Sequence, residues 1–91
     1  MNNEKLISQI AKLDPKILLA DGFDDALIGI TYRDDELVAL YDTDKIIQIL
    51  IDEHDMLFED AVEYFSYNIE GAYMGKKTPV YYCFDFDEEN T

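Results

Sequence analysis

Apolar residues recur at three- and four-residue spacing at Leu6, Ile7, Ile10 and Leu13, and that period predicts an amphipathic helix over residues 3–13. Asp14 and Pro15 interrupt it: proline cannot continue the helical hydrogen-bond ladder, and Asp14 stands where it can cap a second short turn. Residues 17–20 are apolar and fit either periodicity. In Asp21-Gly22-Phe23-Asp24-Asp25, Gly22 is free to take positive φ and the aspartates can bond to nearby backbone, so a turn is expected. Two β-rich runs follow, residues 27–32 and 37–41, and the polar Arg33-Asp34-Asp35-Glu36 between them predicts an antiparallel hairpin. Ile28, Ile30 and Tyr32 share one face of the first strand, with Leu27, Gly29 and Thr31 on the other. Gly29 marks a bulge or a close backbone approach.

Asp42-Thr43-Asp44 supplies caps and N-terminal negative charge for a second helix, which Ile46, Ile47, Ile49, Leu50 and Ile51 make apolar over most of its circumference. After a break at His54-Asp55-Met56, Phe58, Ala61, Val62, Phe65, Ile69 and Ala72 keep helical spacing and predict one long helix with those side chains toward the core. Gly71 and Gly75 close it, Lys76 and Lys77 complement its C-terminal dipole, and Pro79 blocks continuation. Residues 80–86 read as a third strand, and the acidic residues 85–91 as a fraying end.

The order helix, hairpin, helix pair, strand predicts a single acidic α+β domain over residues 1–91. Its three-stranded, mainly antiparallel sheet is covered on one face by the helix pair and the N-terminal helix. The last strand is expected either antiparallel to the second or parallel to the first.

Charge changes this picture more than composition does. The chain is 48% hydrophobic, enough for a core, yet 21 Asp and Glu against seven Lys and Arg leave a formal charge of −14. That balance provides no footprint for phosphates and argues against direct nucleic-acid binding. Spread over roughly 5,500 Å² of folded surface it amounts to one net charge per about 390 Å², whereas duplex DNA carries one phosphate per about 100 Å². Only clustering of the acids on one face would make the protein a nucleic-acid mimic. The single Cys83 excludes an internal disulfide framework and, between Tyr82 and Phe84, reads as a strand residue filling core or interface. No export signal and no membrane-spanning run is apparent, so a cytoplasmic protein is expected.

Chemistry-bearing clusters are thin. Asp52-Glu53-His54-Asp55 has the composition of a metal or acid–base site, but four consecutive helical residues point in four directions. Asp21, Asp24 and Asp25 lack the ligand spacing of a calcium loop, while Asp42 with Asp44 and Asp85 with Asp87 describe a cap and a strand end equally well. Gly75-Lys76-Lys77-Thr78 resembles half of a phosphate-binding loop, except that Gly71 is one residue too close and no helix follows the lysines. No catalytic, cofactor or metal site is assigned, and a non-enzyme without cofactors is expected. A binding face is better supported. Asp60, Glu63, Tyr64, Tyr67, Glu70 and Met74 fall at helical spacing on the outer side of the long helix, with Asp52 and Glu53 adjoining it. Carboxylates interleaved with tyrosines suit a basic protein surface, the acids pairing with Arg or Lys and the rings providing rigid contact area.

Gly22 and Asp25 before an aliphatic strand, then Tyr41-Asp42, Glu59, Ala61, Glu63-Tyr64-Phe65, Asn68, Gly71-Ala72-Tyr73, Gly75 and Thr78-Pro79, form a pattern over about two-thirds of the chain. In these features it resembles a small uncharacterised family of acidic proteins of tailed bacteriophages and prophages. Leu57 departs from the pattern, which favours a Ser or Thr cap there, and leaves Asp55 to serve instead. The resemblance implies a phage-related protein in the host cytoplasm without implying a reaction. Joined to the charge, it leads to a non-enzymatic inhibitor or modulator that engages a basic site, of the kind that holds nucleic acid, on a host or phage protein, with no membrane partner. The alternatives are a self-associating accessory module and, behind it, a metal-dependent enzyme.

Overall fold

The structure is a computed structural model and describes residues 3–83. Helix α1 (Glu4–Leu13) buries Ile10 and half-buries Leu6 and Ile7, the stripe expected of it. It stops where the Asp14 N–H bonds the Ile10 carbonyl and the Asp14 carboxylate accepts the Lys16 N–H at 3.0 Å, the turn that Pro15 opens. Asn3 ties the start of α1 to the hairpin by donating to the carbonyls of Asp24 and Leu27 at 2.8 and 2.9 Å. Residues 17–20 settle as an irregular extended link, with Ile17 buried.

Strand β1 (Leu27–Arg33) and strand β2 (Glu36–Asp42) form the antiparallel hairpin. Asp34 and Asp35 both take positive φ, 52° and 70°, so a two-residue turn matches the twist of the strands. The register slips between Leu27 and Gly29, so of the two readings of that glycine the bulge holds, and among the described residues no backbone approaches it closely. β2 is the central strand and buries Val38, Ala39 and Tyr41 completely. The Asp42 carboxylate then accepts the N–H groups of Asp44 and Lys45, capping helix α2 (Thr43–His54) as its sequence position promised. α2 buries Ile46, Ile49 and Leu50 and half-buries Ile47 and Ile51, in keeping with a helix covered on more than one side.

The long helix is revised. Helix α3 (Phe58–Tyr64) gives way at Phe65–Glu70 to a π-helical turn, in which the Gly71 N–H reaches back five residues to the Ser66 carbonyl at 3.1 Å. Ala61 and Phe65 are buried and Val62, Ile69 and Ala72 half-buried, whereas Phe58, in the first turn of α3 and ahead of the π turn, is 65% exposed instead of facing the core. Gly71 permits the turn, since a Cβ there would stand 3.0 Å from the Ser66 carbonyl oxygen. Asp55, expected to cap α3, instead ends α2 in the left-handed conformation at φ 56°, and no side chain caps α3 at Leu57.

Strand β3 (Val80–Tyr82) pairs parallel to β2, with Tyr41 beside Tyr81, so the sheet runs β1-β2-β3 and is mixed. This corrects both expected arrangements of the last strand; the α+β fold is as expected, with the longer β1–β2 pairing antiparallel and only the short β3 pairing parallel. Residues 43–79 form a helical crossover that returns the chain to the starting end of β2, the connection a parallel neighbour requires. Thr78 locks that return: its hydroxyl accepts the Met74 N–H at 2.8 Å and donates to the Gly75 carbonyl at 2.7 Å, with Gly75 at φ 107°. The strand ends earlier than expected, and Phe84, Asp85 and Phe86 lie outside the described residues. Cys83 is exposed, with its sulfur 3.4 Å from the Asp44 carboxylate, and is therefore not the core filler expected of it.

Candidate functional site

Position along α3 decides which acids meet which rings. Glu63 and Tyr64 each lie three or four residues from both Asp60 and Tyr67, so the four form a single ridge, turned outward from the buried Ala61 and Phe65. Phe65 anchors that orientation, meeting Tyr81 of β3 edge-to-face with ring centroids 5.4 Å apart. Met56, from the α2–α3 link, and Asn68, from the π turn, complete the walls of a groove of about 380 Å³ around the four residues. Beyond Met56 and Tyr64 a second hollow of about 260 Å³ opens between Asp21, Phe23, Leu50 and His54. The two share Met56 and Tyr64, so together they form a longer track with tyrosine at its middle.

Four of the eight residues expected on or beside the binding face are thus brought together: Asp60, Glu63, Tyr64 and Tyr67. Four are not, Met74 among them, which lies past the π turn and outside the groove. Asp52 accepts a hydrogen bond from Gln48 Nε2 at 3.0 Å on α2, Glu53 lines a separate acidic hollow with Asp24 and Asp25, and Glu70 ends the π turn outside the groove. Conversely, Met56, Asn68, Asp21, Phe23 and His54 contribute without having been expected to. They come from three segments, and only the crossing of the Asp21 turn over the end of α2 assembles them. Asn68 was visible in the sequence, one residue beyond Tyr67, but its facing depends on the π phase.

Charge is distributed unevenly over the layers. α2, α3 and the π turn carry Asp44, Asp52, Glu53, Glu59, Asp60, Glu63 and Glu70 against Lys45 as their sole Lys or Arg. α1 and β1 together carry Glu4 as their only carboxylate, beside Lys5, Lys12 and Arg33. The groove therefore lies in the acidic half of the molecule, where exposed carboxylates and ring faces can hold a cation by ion pairing and cation–π attraction together.

Lys77 and Arg33 are engaged around the turn before β3. Lys77 Nζ lies 3.0 Å from an Asp14 oxygen and 3.1 Å from a Glu36 oxygen. This pairing raises the lysine pKa, the Asp14 hydrogen bond contributing most. Asp14 is correspondingly held below its ordinary value, first by the Lys16 N–H and then by Lys77. Arg33 donates to the Lys76 carbonyl at 3.0 Å. Gly75-Lys76-Lys77-Thr78 thus closes a turn between helix and strand. Among the described residues, no three His, Cys, Asp or Glu side chains converge as metal ligands, and no helix is long and apolar enough to cross a membrane.

No family model matches the chain, and neither the curated proteins nor the solved structures include a match.

Proposed function

We propose that the protein is a non-catalytic binding module that takes a basic segment of another protein into the groove between Asp60, Glu63, Tyr64 and Tyr67. The observation that carries this reading is the coincidence, in one groove, of two carboxylates and two exposed tyrosines within the acidic half of the molecule. Carboxylates draw a Lys- or Arg-bearing segment, and the rings retain it by stacking against guanidinium or the aliphatic stem of lysine. The hollow past Met56 and Tyr64 extends the track for a segment longer than one side chain. The concentration of acids on the helices supports a partner segment drawn from a basic site of the kind that holds phosphates. With the resemblance to small acidic phage proteins, this makes the module an inhibitor or modulator of a host or phage protein in the host cytoplasm.

Titration of a fluorescent arginine-rich peptide into the full chain, at low and at physiological salt, tests the reading. Saturable binding that weakens with salt is expected, with Asp60→Asn plus Glu63→Gln lowering both affinity and salt slope. Equal affinity for an acidic peptide of the same length, or an unchanged double variant, would remove the groove from the account.

A further inference from the structure

Strand β1 is an edge of the sheet, and its outer side is bare. β2 covers one side of it, and among the described residues no hydrogen bond reaches the main chain of residues 28–32 from the other. The two-residue hairpin makes Arg33 and Glu36 its closing pair, so Thr31 and Arg33 turn their main-chain groups toward β2. Ile30 and Tyr32 turn theirs outward. Edges left this way are usually blunted by lysine, proline or inward charge. From Leu27 to Tyr32 this one has no charge and no proline, and it exposes Ile28, Ile30 and Tyr32 by 45, 38 and 72%. Alongside runs a largely apolar hollow of about 140 Å³ between Leu6, Ile10 and Leu13 of α1 and Gly29 and Ile30 of β1.

Charge selects the occupant. A copy of a chain with a net charge of −14 is repelled from most of its own surface. The α1–β1 side is the least acidic part, because the two elements themselves carry Lys5, Lys12 and Arg33 against Glu4, with the aspartates Asp24, Asp25, Asp34 and Asp35 kept to the two ends of β1. A basic partner is drawn to the acidic helices instead, whose π turn packs through Phe65 on β3 at the far edge of the sheet. We infer that β1 pairs with β1 of a second copy, antiparallel about a two-fold axis through Thr31. In that register Ile30 lies opposite Tyr32 of the partner subunit, twice over, and both positions have outward main-chain groups to exchange. The new ladder runs from Gly29 to Arg33 and stops at the bulge, which bends Ile28 out of it. The site is independent of the groove, and a dimer built this way carries two grooves on its outer sides.

Sedimentation velocity of the full chain over a wide concentration range at physiological salt gives the first measurement. Reversible dimerisation is expected. Ile30→Lys places a charge at the axis on a side chain already part exposed, and should raise the dimer dissociation constant about tenfold or more. Glu63→Gln should leave it unchanged. Hydrogen exchange on the unmodified chain gives a second measurement that needs no variant: the amides of Ile30 and Tyr32 should gain protection as concentration rises, in step with the dimer fraction. A chain that stays monomeric throughout, a dimer indifferent to Ile30→Lys, or a dimer in which those two amides exchange as in the monomer would each overturn the inference.

Discussion

The hydroxyl of Tyr41 accepts a 2.8 Å hydrogen bond from the backbone N–H of Ala20, joining the central strand to the irregular link that follows α1. Tyr41 is fully buried, stacks at a tilt on Tyr81 with centroids 5.7 Å apart, and belongs to the same core as Ile46 and Leu50. Removing the hydroxyl while keeping the ring leaves the Ala20 N–H without its acceptor. Tyr41→Phe is therefore expected to cost about 1–3 kcal/mol in urea melts at neutral pH.

The same burial sets an alkaline limit on stability. Desolvation raises the Tyr41 pKa from 10.0 to about 12, against the smaller opposing effect of the Ala20 hydrogen bond, and burial raises Tyr81 as well. A raised value means that the folded state holds its proton more tightly than the unfolded chain does. The contribution is fully present below about pH 10 and is lost as pH climbs toward about 12. Circular dichroism melts across that window, with tyrosinate absorbance recorded in parallel, should show unfolding coupled to ionisation of the buried tyrosines. Tyr41→Phe should weaken the pH dependence, and an identical dependence in the variant would assign it to other groups.

Phe65 and Phe58 mark where the expected stripe meets the core and where it does not. Phe65 is buried against Tyr81 whereas Phe58 is largely exposed, although their spacing in a straight helix puts both on one face. Phe65→Ala should cost about 3–5 kcal/mol, and Phe58→Ala within about 0.5 kcal/mol. Comparable losses from the two would mean that Phe58 faces the core as Phe65 does.

Lys77 ties together three segments distant in sequence through Asp14 and Glu36. All three side chains are partly solvated, so Lys77→Met should lower the melting temperature slightly at low salt and not at all at high salt. Because the Asp14 pKa is depressed, its share of the stabilisation is present above the ordinary value of 3.8 and disappears as pH falls through the lower folded value. Melts of Asp14→Asn and the parent chain from neutral to acid pH should converge at the acid end.

Glu63 and Glu70 share a helical face by spacing but not by position in the fold, since Glu63 lines the groove and Glu70 does not. Glu63→Gln should slow association with a basic peptide and flatten its salt dependence, while Glu70→Gln should alter the rate much less. Stopped-flow traces in which the two variants slow equally would mean that general charge, and not the groove, captures the ligand.

Local physics made the elements legible in the sequence. The α1 stripe, the Asp42 cap, the hairpin around Asp34-Asp35 and the bulge at Gly29 each depend on neighbours in the chain, through side-chain period, a carboxylate reaching nearby amides, or permitted φ. So did the acid and tyrosine spacing of Asp60, Glu63, Tyr64 and Tyr67, which places them on one ridge wherever the helix lies. Tertiary structure decided what depends on distant segments. Whether β3 ran parallel to β2 turned on where residues 43–79 delivered the chain, and no local preference encodes that. The π turn at Phe65–Glu70 interrupted a stripe that looked continuous and set Asn68 in the groove wall, while the first turn of α3 lay beyond the core and left Phe58 exposed. Met56, Asp21 and His54 joined the site, and Asp52, Glu53 and Glu70 left it, because a groove is made by surfaces that meet across the fold.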